Sequence, residues 1–130
     1  MFAGEVDLKT WYKPKIDKKT LKELSKRSDT KGLLDISIFI VALILSGYLC
    51  IISWGTLWSI PALLLYGNIF YCKIISIQHE TNHETYFKTR ALNKFFYHIT
   101  SLLGGFEAVR WKWSHFHHHT YTIFTHEEVY

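Results

Sequence analysis

Two long apolar runs dominate the hydrophobic pattern of the chain. Residues 36–54 carry no charge, and a helix of that length reaches roughly 28 Å, close to the hydrocarbon thickness of a bilayer. Gly55 and Thr56 interrupt the run, and Pro61 then falls in the first turn of a second run, where its missing N–H costs little. The pattern predicts a transmembrane helical hairpin with spans at 36–54 and 59–77.

A third, amphipathic pattern follows the second span. Between Phe87 and Leu103, apolar residues recur every three to four positions with polar residues largely opposite, and Gly104 and Gly105 end the run. Polar groups interrupt it too often for a third span, so we predict an amphipathic helix in the membrane interface at 87–103. The expected fold is an all-α integral membrane protein, in which the hairpin is followed by this helix and a histidine-bearing helix.

The charged residues are segregated along the chain. Residues 1–32 hold most of the lysines, whereas Asp35 is the one charged residue between 33 and 72. We interpret 1–32 as a basic cytosolic arm, and we expect Lys73 to extend its ammonium group to the interface. The turn between the spans has no Lys or Arg, and basic residues flank the hairpin, so the positive-inside rule predicts a multi-pass protein with both termini in the cytosol.

The net charge of +4 suggests an anionic partner. The basic residues lie beside membrane-length apolar runs and form no recognised nucleic-acid motif, which argues against a nucleic-acid partner. We expect the headgroups of membrane lipids to be the partner instead.

Two histidine clusters follow the spans and are separated by about thirty residues. On a helix, His79 and His83 are one turn apart on the same face, where two imidazoles can share a metal ion. In the second cluster, His115, His118 and His119 stand at positions i, i+3 and i+4, which brings three imidazoles to one side. The neighbouring His117 points away from that side and is not included among the candidate ligands. Both clusters fall on the same predicted side of the hairpin, so the sequence predicts a metal site.

These clusters resemble the histidine boxes of the membrane fatty acid desaturase and hydroxylase family. The resemblance is carried by HETNH at 79–83, TYFKTRALN at 85–93 and RWKWSHFHHHTYT at 110–122, and it extends over roughly 36–122. It implies four membrane helices under a cytosolic cap, where histidines from three boxes hold two non-haem irons that activate dioxygen. The metal ligands that it implies in this chain are His79 and His83 from the first box and His115, His118 and His119 from the second.

The resemblance also implies an activity and its partners. The expected reaction is desaturation or hydroxylation of a lipid or hydrocarbon chain, with electrons from a carrier of the ferredoxin or cytochrome type. Residues 33–130 then form the N-terminal part of a desaturase-like domain, with the second histidine box at 115–119. The family's third box follows a second hairpin, and the 130 residues contain neither, so we expect a partial member whose di-iron ligand set is incomplete in this chain alone.

Two alternatives stay open at the level of sequence. HETNH is also an HExxH pattern, in which His79 and His83 would bind zinc and Glu80 would activate water, as in a membrane metalloprotease. That reading leaves the second cluster unexplained. The other alternative is an inactive membrane-anchored remnant. The sequence does not distinguish a desaturase from a hydroxylase, and it does not identify the substrate, the electron donor or the oligomeric state.

Overall fold

The computed structural model describes residues 15–121, and these form five α-helices. The helices are α1 (Lys18–Leu24), α2 (Asp29–Ile52), α3 (Ser59–Asn82), α4 (Arg90–Leu103) and α5 (Ala108–Tyr121). The described residues contain no strand, and the all-α prediction is confirmed. The first part of the predicted basic arm, 1–14, lies outside the described residues, as does 122–130.

The predicted hairpin is formed by α2 and α3, which pack against each other and are joined by a turn at 53–58. Each helix has 24 residues, which corresponds to a length of about 36 Å. By length and composition, the stretch Lys18–Ile52, which ends in α2, and the helix α3 are both candidate membrane spans. Most of their large apolar side chains are exposed, an arrangement that suits helices surrounded by lipid.

Both helices of the hairpin extend beyond the predicted spans. The helix α2 begins at Asp29 rather than at residue 36, because the Ser28 hydroxyl caps it by accepting a hydrogen bond from the Lys31 N–H at 3.4 Å. The helix α3 continues past residue 77 to Asn82, so the first histidine box starts on the last turns of this helix.

The helix α4 begins at Arg90, three residues later than predicted, because Phe87 leaves the helical pattern and enters the core. The Phe87 side chain is fully buried, and the Asn93 side chain forms two hydrogen bonds to the Phe87 backbone. Asn93 Oδ1 accepts a hydrogen bond from the Phe87 N–H at 3.0 Å, and Asn93 Nδ2 donates to the Phe87 carbonyl at 2.9 Å. These two bonds fix the segment that connects α3 with α4.

The two faces of α4 are arranged in the opposite way to those of a helix in a soluble protein. Its buried residues, which lie on the side packed against α3, are mostly polar: Asn93, Tyr97, Thr100 and Ser101. Its exposed residues include four large apolar side chains, Phe95, Ile99, Leu102 and Leu103, together with the polar Arg90, Lys94 and His98. An apolar face directed away from the protein is what a helix in the membrane interface requires, so this arrangement supports the interfacial position that the sequence predicts.

The core of the described residues lies where α2, α3 and the segment before α4 meet. Its buried members are Ile36, Ile77 and Phe87, with Phe39, Tyr86, Leu92 and Phe96 packed around them. Gly32 on α2 permits the close approach of the Phe87 ring, because a Cβ at this position would lie 2.6 Å from the ring. A side chain at residue 32 would therefore displace the segment that follows the first box.

Replacing Gly32 with Ala should destabilise the chain by about 1–3 kcal/mol, because the added methyl group overpacks the Phe87 site. Thermal unfolding in detergent micelles measures the effect. Gly67→Ala is the matched control, since a Cβ at Gly67 on α3 meets nothing within 4 Å, and it should be neutral or slightly stabilising. Equal melting temperatures for the two variants would contradict the packing described here.

Candidate metal centre

The first histidine box lies at the end of α3. His79 belongs to the last turn, and His83 is the C-terminal cap with helical backbone angles, φ −74° and ψ −2°. Because the helical spacing continues through the cap, the two imidazole rings lie on the same face, with centroids 4.7 Å apart. The predicted one-turn pairing of these histidines is therefore present in the structure.

The chain turns sharply directly after His83. Glu84 has a φ of 56°, a left-handed conformation that costs a non-glycine residue about 1 kcal/mol. The Thr85 N–H donates to the Glu80 carbonyl at 3.0 Å and the Glu84 N–H donates to the Thr81 carbonyl at 3.1 Å, which forms a Schellman motif. The Glu84 carboxylate also pairs with Arg90 at 2.9 Å. This turn ends the helix and leaves both imidazoles at its tip.

The second box lies on α5, whose start is fixed by two contacts. The Glu107 carboxylate accepts hydrogen bonds from the N–H groups of Val109 and Arg110 at 3.1 and 2.5 Å, so it caps the helix. The buried Tyr97 hydroxyl on α4 donates to the Ala108 carbonyl at 2.5 Å. The helix α5 therefore begins in a defined position relative to α4, and His115 lies beside the end of α3.

Four imidazoles from the two boxes converge on one point. One ring nitrogen from each of His79, His83, His115 and His119 lies within 4.8 Å of the others. The His115 Nε2 is 2.9 Å from the His83 Nε2 and 3.0 Å from the His119 Nε2. Metal–nitrogen bonds to imidazole are about 2.0–2.1 Å long, so nitrogens on opposite sides of an ion are about 4 Å apart. This spacing fits four imidazole ligands around a single metal ion.

His118 lies beside this group of four rather than within it. Its ring centroid is 6.1 Å from that of His115 and 5.8 Å from that of His119. The neighbouring His117 stacks on Tyr121, with ring centroids 5.6 Å apart. Of the three imidazoles predicted to share one side of the helix, His115 and His119 therefore join the first box, and His118 flanks them.

The environment of the cluster favours neutral imidazoles. Burial lowers the pKa of His115 to about 4, and repulsion from the neighbouring imidazoles, first His79 and then His119, adds to the effect. Burial also lowers the pKa of His83, again reinforced by His79 and His119 and opposed by the Glu80 carboxylate. A lowered pKa leaves these rings uncharged at neutral pH, and the uncharged ring is the form that binds a metal ion.

Comparison with known proteins agrees with this geometry. A family model described as fatty acid desaturase matches residues 52–129, which include both histidine boxes. The chain belongs to the fatty acid desaturase family. No curated protein and no solved structure matches it. The match begins at the last residue of α2, so the family assignment rests on α3 and the segments that follow it.

One aromatic residue of this desaturase-family chain contacts a histidine from each box, and the sequence analysis did not identify it. Trp111 stacks on His115, with ring centroids 4.5 Å apart and planes at 13°. Trp111 also makes an edge-to-face contact with His79, with ring centroids 6.4 Å apart. The spacing of four residues between Trp111 and His115 places them on one helix face, and this is the signal from which the contact could have been predicted.

The acidic residues near the cluster are engaged elsewhere. The Glu80 carboxylate accepts a hydrogen bond from the Thr85 hydroxyl at 2.6 Å, Glu84 pairs with Arg90, and Glu107 caps α5. Among the hydrogen bonds found between residues 15 and 121, none joins these carboxylates to an imidazole of the cluster. The donor set that the described residues offer a metal ion consists of imidazole nitrogens.

We expect the full chain in lipid nanodiscs to bind Co²⁺ with a visible absorption band. His115→Ala should weaken cobalt binding at least 100-fold, because it removes a ligand at the centre of the cluster. Removing only a residue that orients a metal ligand costs about 10–100-fold. His117→Ala is the matched control on the same helix and should bind like the wild type. Equal affinities for the two variants would refute the ligand assignment.

Proposed function

We propose that this chain forms the part of a membrane desaturase or hydroxylase that carries two histidine boxes, and that the enzyme uses iron and dioxygen to oxidise a lipid chain. One observation carries the proposal: in a chain of the desaturase family, four imidazoles from two separated segments lie within 4.8 Å of one another. The two segments are the end of α3 and the second half of α5, which are about thirty residues apart along the chain.

The donor set fits iron. Four neutral imidazole nitrogens around one point suit a divalent first-row metal, and the family selects iron among the candidates. We assign His79, His83, His115 and His119 to one ion. His118, which flanks the cluster, is proposed as a ligand of the second ion, whose other ligands come from outside the cluster of four. When bound, the iron pair supplies the oxidising power to remove hydrogen from an unactivated methylene group.

Two features of the chain support a position of this site at the membrane surface. His79 lies in the last turn of a candidate membrane span, and the exposed apolar face of α4 adjoins the same end of the hairpin. We propose that 1–32 is a cytosolic basic arm, that 33–130 is the N-terminal part of the desaturase-like domain and that both termini are cytosolic. A lipid chain then approaches from the bilayer, and a ferredoxin or cytochrome delivers electrons from the cytosol.

The HExxH alternative accounts for the geometry less well. A zinc protease uses two histidines of the motif and keeps one metal position open for water, with the glutamate directed towards it. In this chain, His115 and His119 occupy the space next to His79 and His83, and the Glu80 carboxylate accepts a hydrogen bond from Thr85. This arrangement supports the second box as part of the metal centre rather than as an unrelated surface cluster.

Anaerobic titration with Fe²⁺ tests the proposal against the protease reading. The full chain should bind iron, His119→Ala in the second box should lose binding because it removes a ligand, and Glu80→Gln should keep binding because Glu80 is not a ligand. Iron binding that is unchanged in His119→Ala, or a peptidase activity that disappears in Glu80→Gln, would overturn the assignment to a desaturase-type centre.

The proposed roles of neighbouring histidines predict different outcomes in cells that express the full-length parent enzyme. His83→Ala and His118→Ala should each reduce unsaturated or hydroxylated lipid products to background, because each removes a ligand of an iron ion. His117→Ala should have a mild effect, since its ring stacks on Tyr121 away from the cluster. Lipid mass spectrometry measures the products. Equal losses at His117 and His118 would contradict the assignment of helix faces.

A further inference from the structure

The segment that follows the first histidine box is held by α2, which itself carries no histidine. Two carboxylates of α2 bind this segment, and an apolar contact lies between them. Asp29 binds Thr89, and Asp35 binds Tyr86. The Phe87 ring lies against Gly32 and packs in the same core cluster as Ile36. The anchoring positions recur every three to four residues, so they form one face of α2. Almost all of α2 precedes the region that matches the desaturase family.

The anchor nearer the start of α4 is Asp29. One oxygen of its carboxylate accepts a hydrogen bond from the Thr89 N–H at 2.8 Å, and the other accepts one from the Thr89 hydroxyl at 2.7 Å. Thr89 is the residue that precedes the first turn of α4. Asp29 therefore fixes the start of α4 against the start of α2.

The anchor nearer the first box is Asp35. Its carboxylate accepts hydrogen bonds from the Tyr86 hydroxyl and from the Lys73 ammonium group, which lies 2.8 Å from Asp35 Oδ1. Burial and this carboxylate raise the pKa of Tyr86, so the phenol stays protonated and remains a donor. One acidic side chain on α2 thus joins α3 to the segment after the first box.

Tyr86 is three residues beyond His83, the histidine that caps α3. His83 is followed immediately by the left-handed turn at Glu84, so no further turn of helix holds its backbone in place. Further along the chain, Glu84 pairs with Arg90 at the start of α4, and the Tyr86 hydroxyl then donates a hydrogen bond to Asp35 on α2. The same segment leads into α4 and then to the second box on α5.

We propose that Asp35 is a positioning residue of the metal centre. Through Tyr86 it holds the segment after His83, and thereby sets where the imidazoles of the first box lie relative to those of the second. This inference rests on the metal centre argued under the proposed function. It assigns to the first membrane helix a part in metal binding that the histidine boxes alone do not reveal.

Co²⁺ binding to the full chain in lipid nanodiscs tests this role. Tyr86→Phe and Asp35→Ala, each of which removes the hydrogen bond between these residues, should each weaken cobalt affinity by about tenfold, in the range known for residues that orient metal ligands, and should shift the visible cobalt spectrum. Asp35→Glu keeps a carboxylate acceptor for the phenol and should recover most of the affinity. Helix content from circular dichroism confirms that each variant is folded.

Lys73→Met is the matched control, because it removes the other donor to the same carboxylate without touching the segment after the box. It should lower thermal stability and leave the cobalt spectrum unchanged. A Tyr86→Phe variant with the affinity and spectrum of the wild type would overturn the proposal, as would a Lys73→Met variant that disturbs the spectrum equally. Wild-type protein that binds no cobalt would instead overturn the metal centre itself.

Discussion

Four imidazole nitrogens, two from each of two helices, must reach one point, and the described part of the chain is organised around that requirement. Each helix alone can offer two rings on one face, because residues four apart are neighbours on a helix surface. Bringing the two faces together requires control of the end of α3, the start of α5 and the path between them. The Schellman turn at Glu84, the cap at Glu107 and the bond from Tyr97 to Ala108 supply this control.

The helix α4, which lies between the two boxes, is unusual because most of its buried residues are polar. The fully buried residues of α4 are mostly polar, whereas Phe95, Ile99, Leu102 and Leu103 are exposed. Two of the buried polar residues form hydrogen bonds to backbone outside α4, Asn93 to Phe87 and Tyr97 to Ala108. Such bonds restrict the geometry more than apolar contacts do, which suits a helix that connects the two halves of the histidine cluster.

The sequence predicted those features that depend on local periodicity. The two long apolar helices, the amphipathic helix and the one-turn spacing of His79 and His83 follow from patterns within a single segment, and the structure contains them. The start of α4 was placed three residues early, because the pattern includes Phe87 and does not reveal that this ring leaves the helix for the core. Helix termini depend on such contacts more than helix interiors do.

The contacts between distant segments could not be read from the sequence. Lys73 was expected to extend to the interface, and the structure adds its partner, Asp35, which is 38 residues away along the chain. A charge near the end of an apolar span is stabilised by such a partner, yet nothing in the local pattern names it. The contact of Trp111 with His79 and the separation of His118 from the cluster of four likewise depend on how α5 packs against α3.

The central claim is that both boxes bind the same metal ion. X-ray absorption spectroscopy of the iron-loaded chain counts the imidazole ligands directly, through the scattering from their outer ring atoms. With one ion bound per chain, the account predicts a spectrum that requires four imidazoles around the iron, falling to two when His115 and His119 are both replaced with Ala. A wild-type spectrum that is fitted by two imidazoles, and that does not change in this double variant, would contradict it.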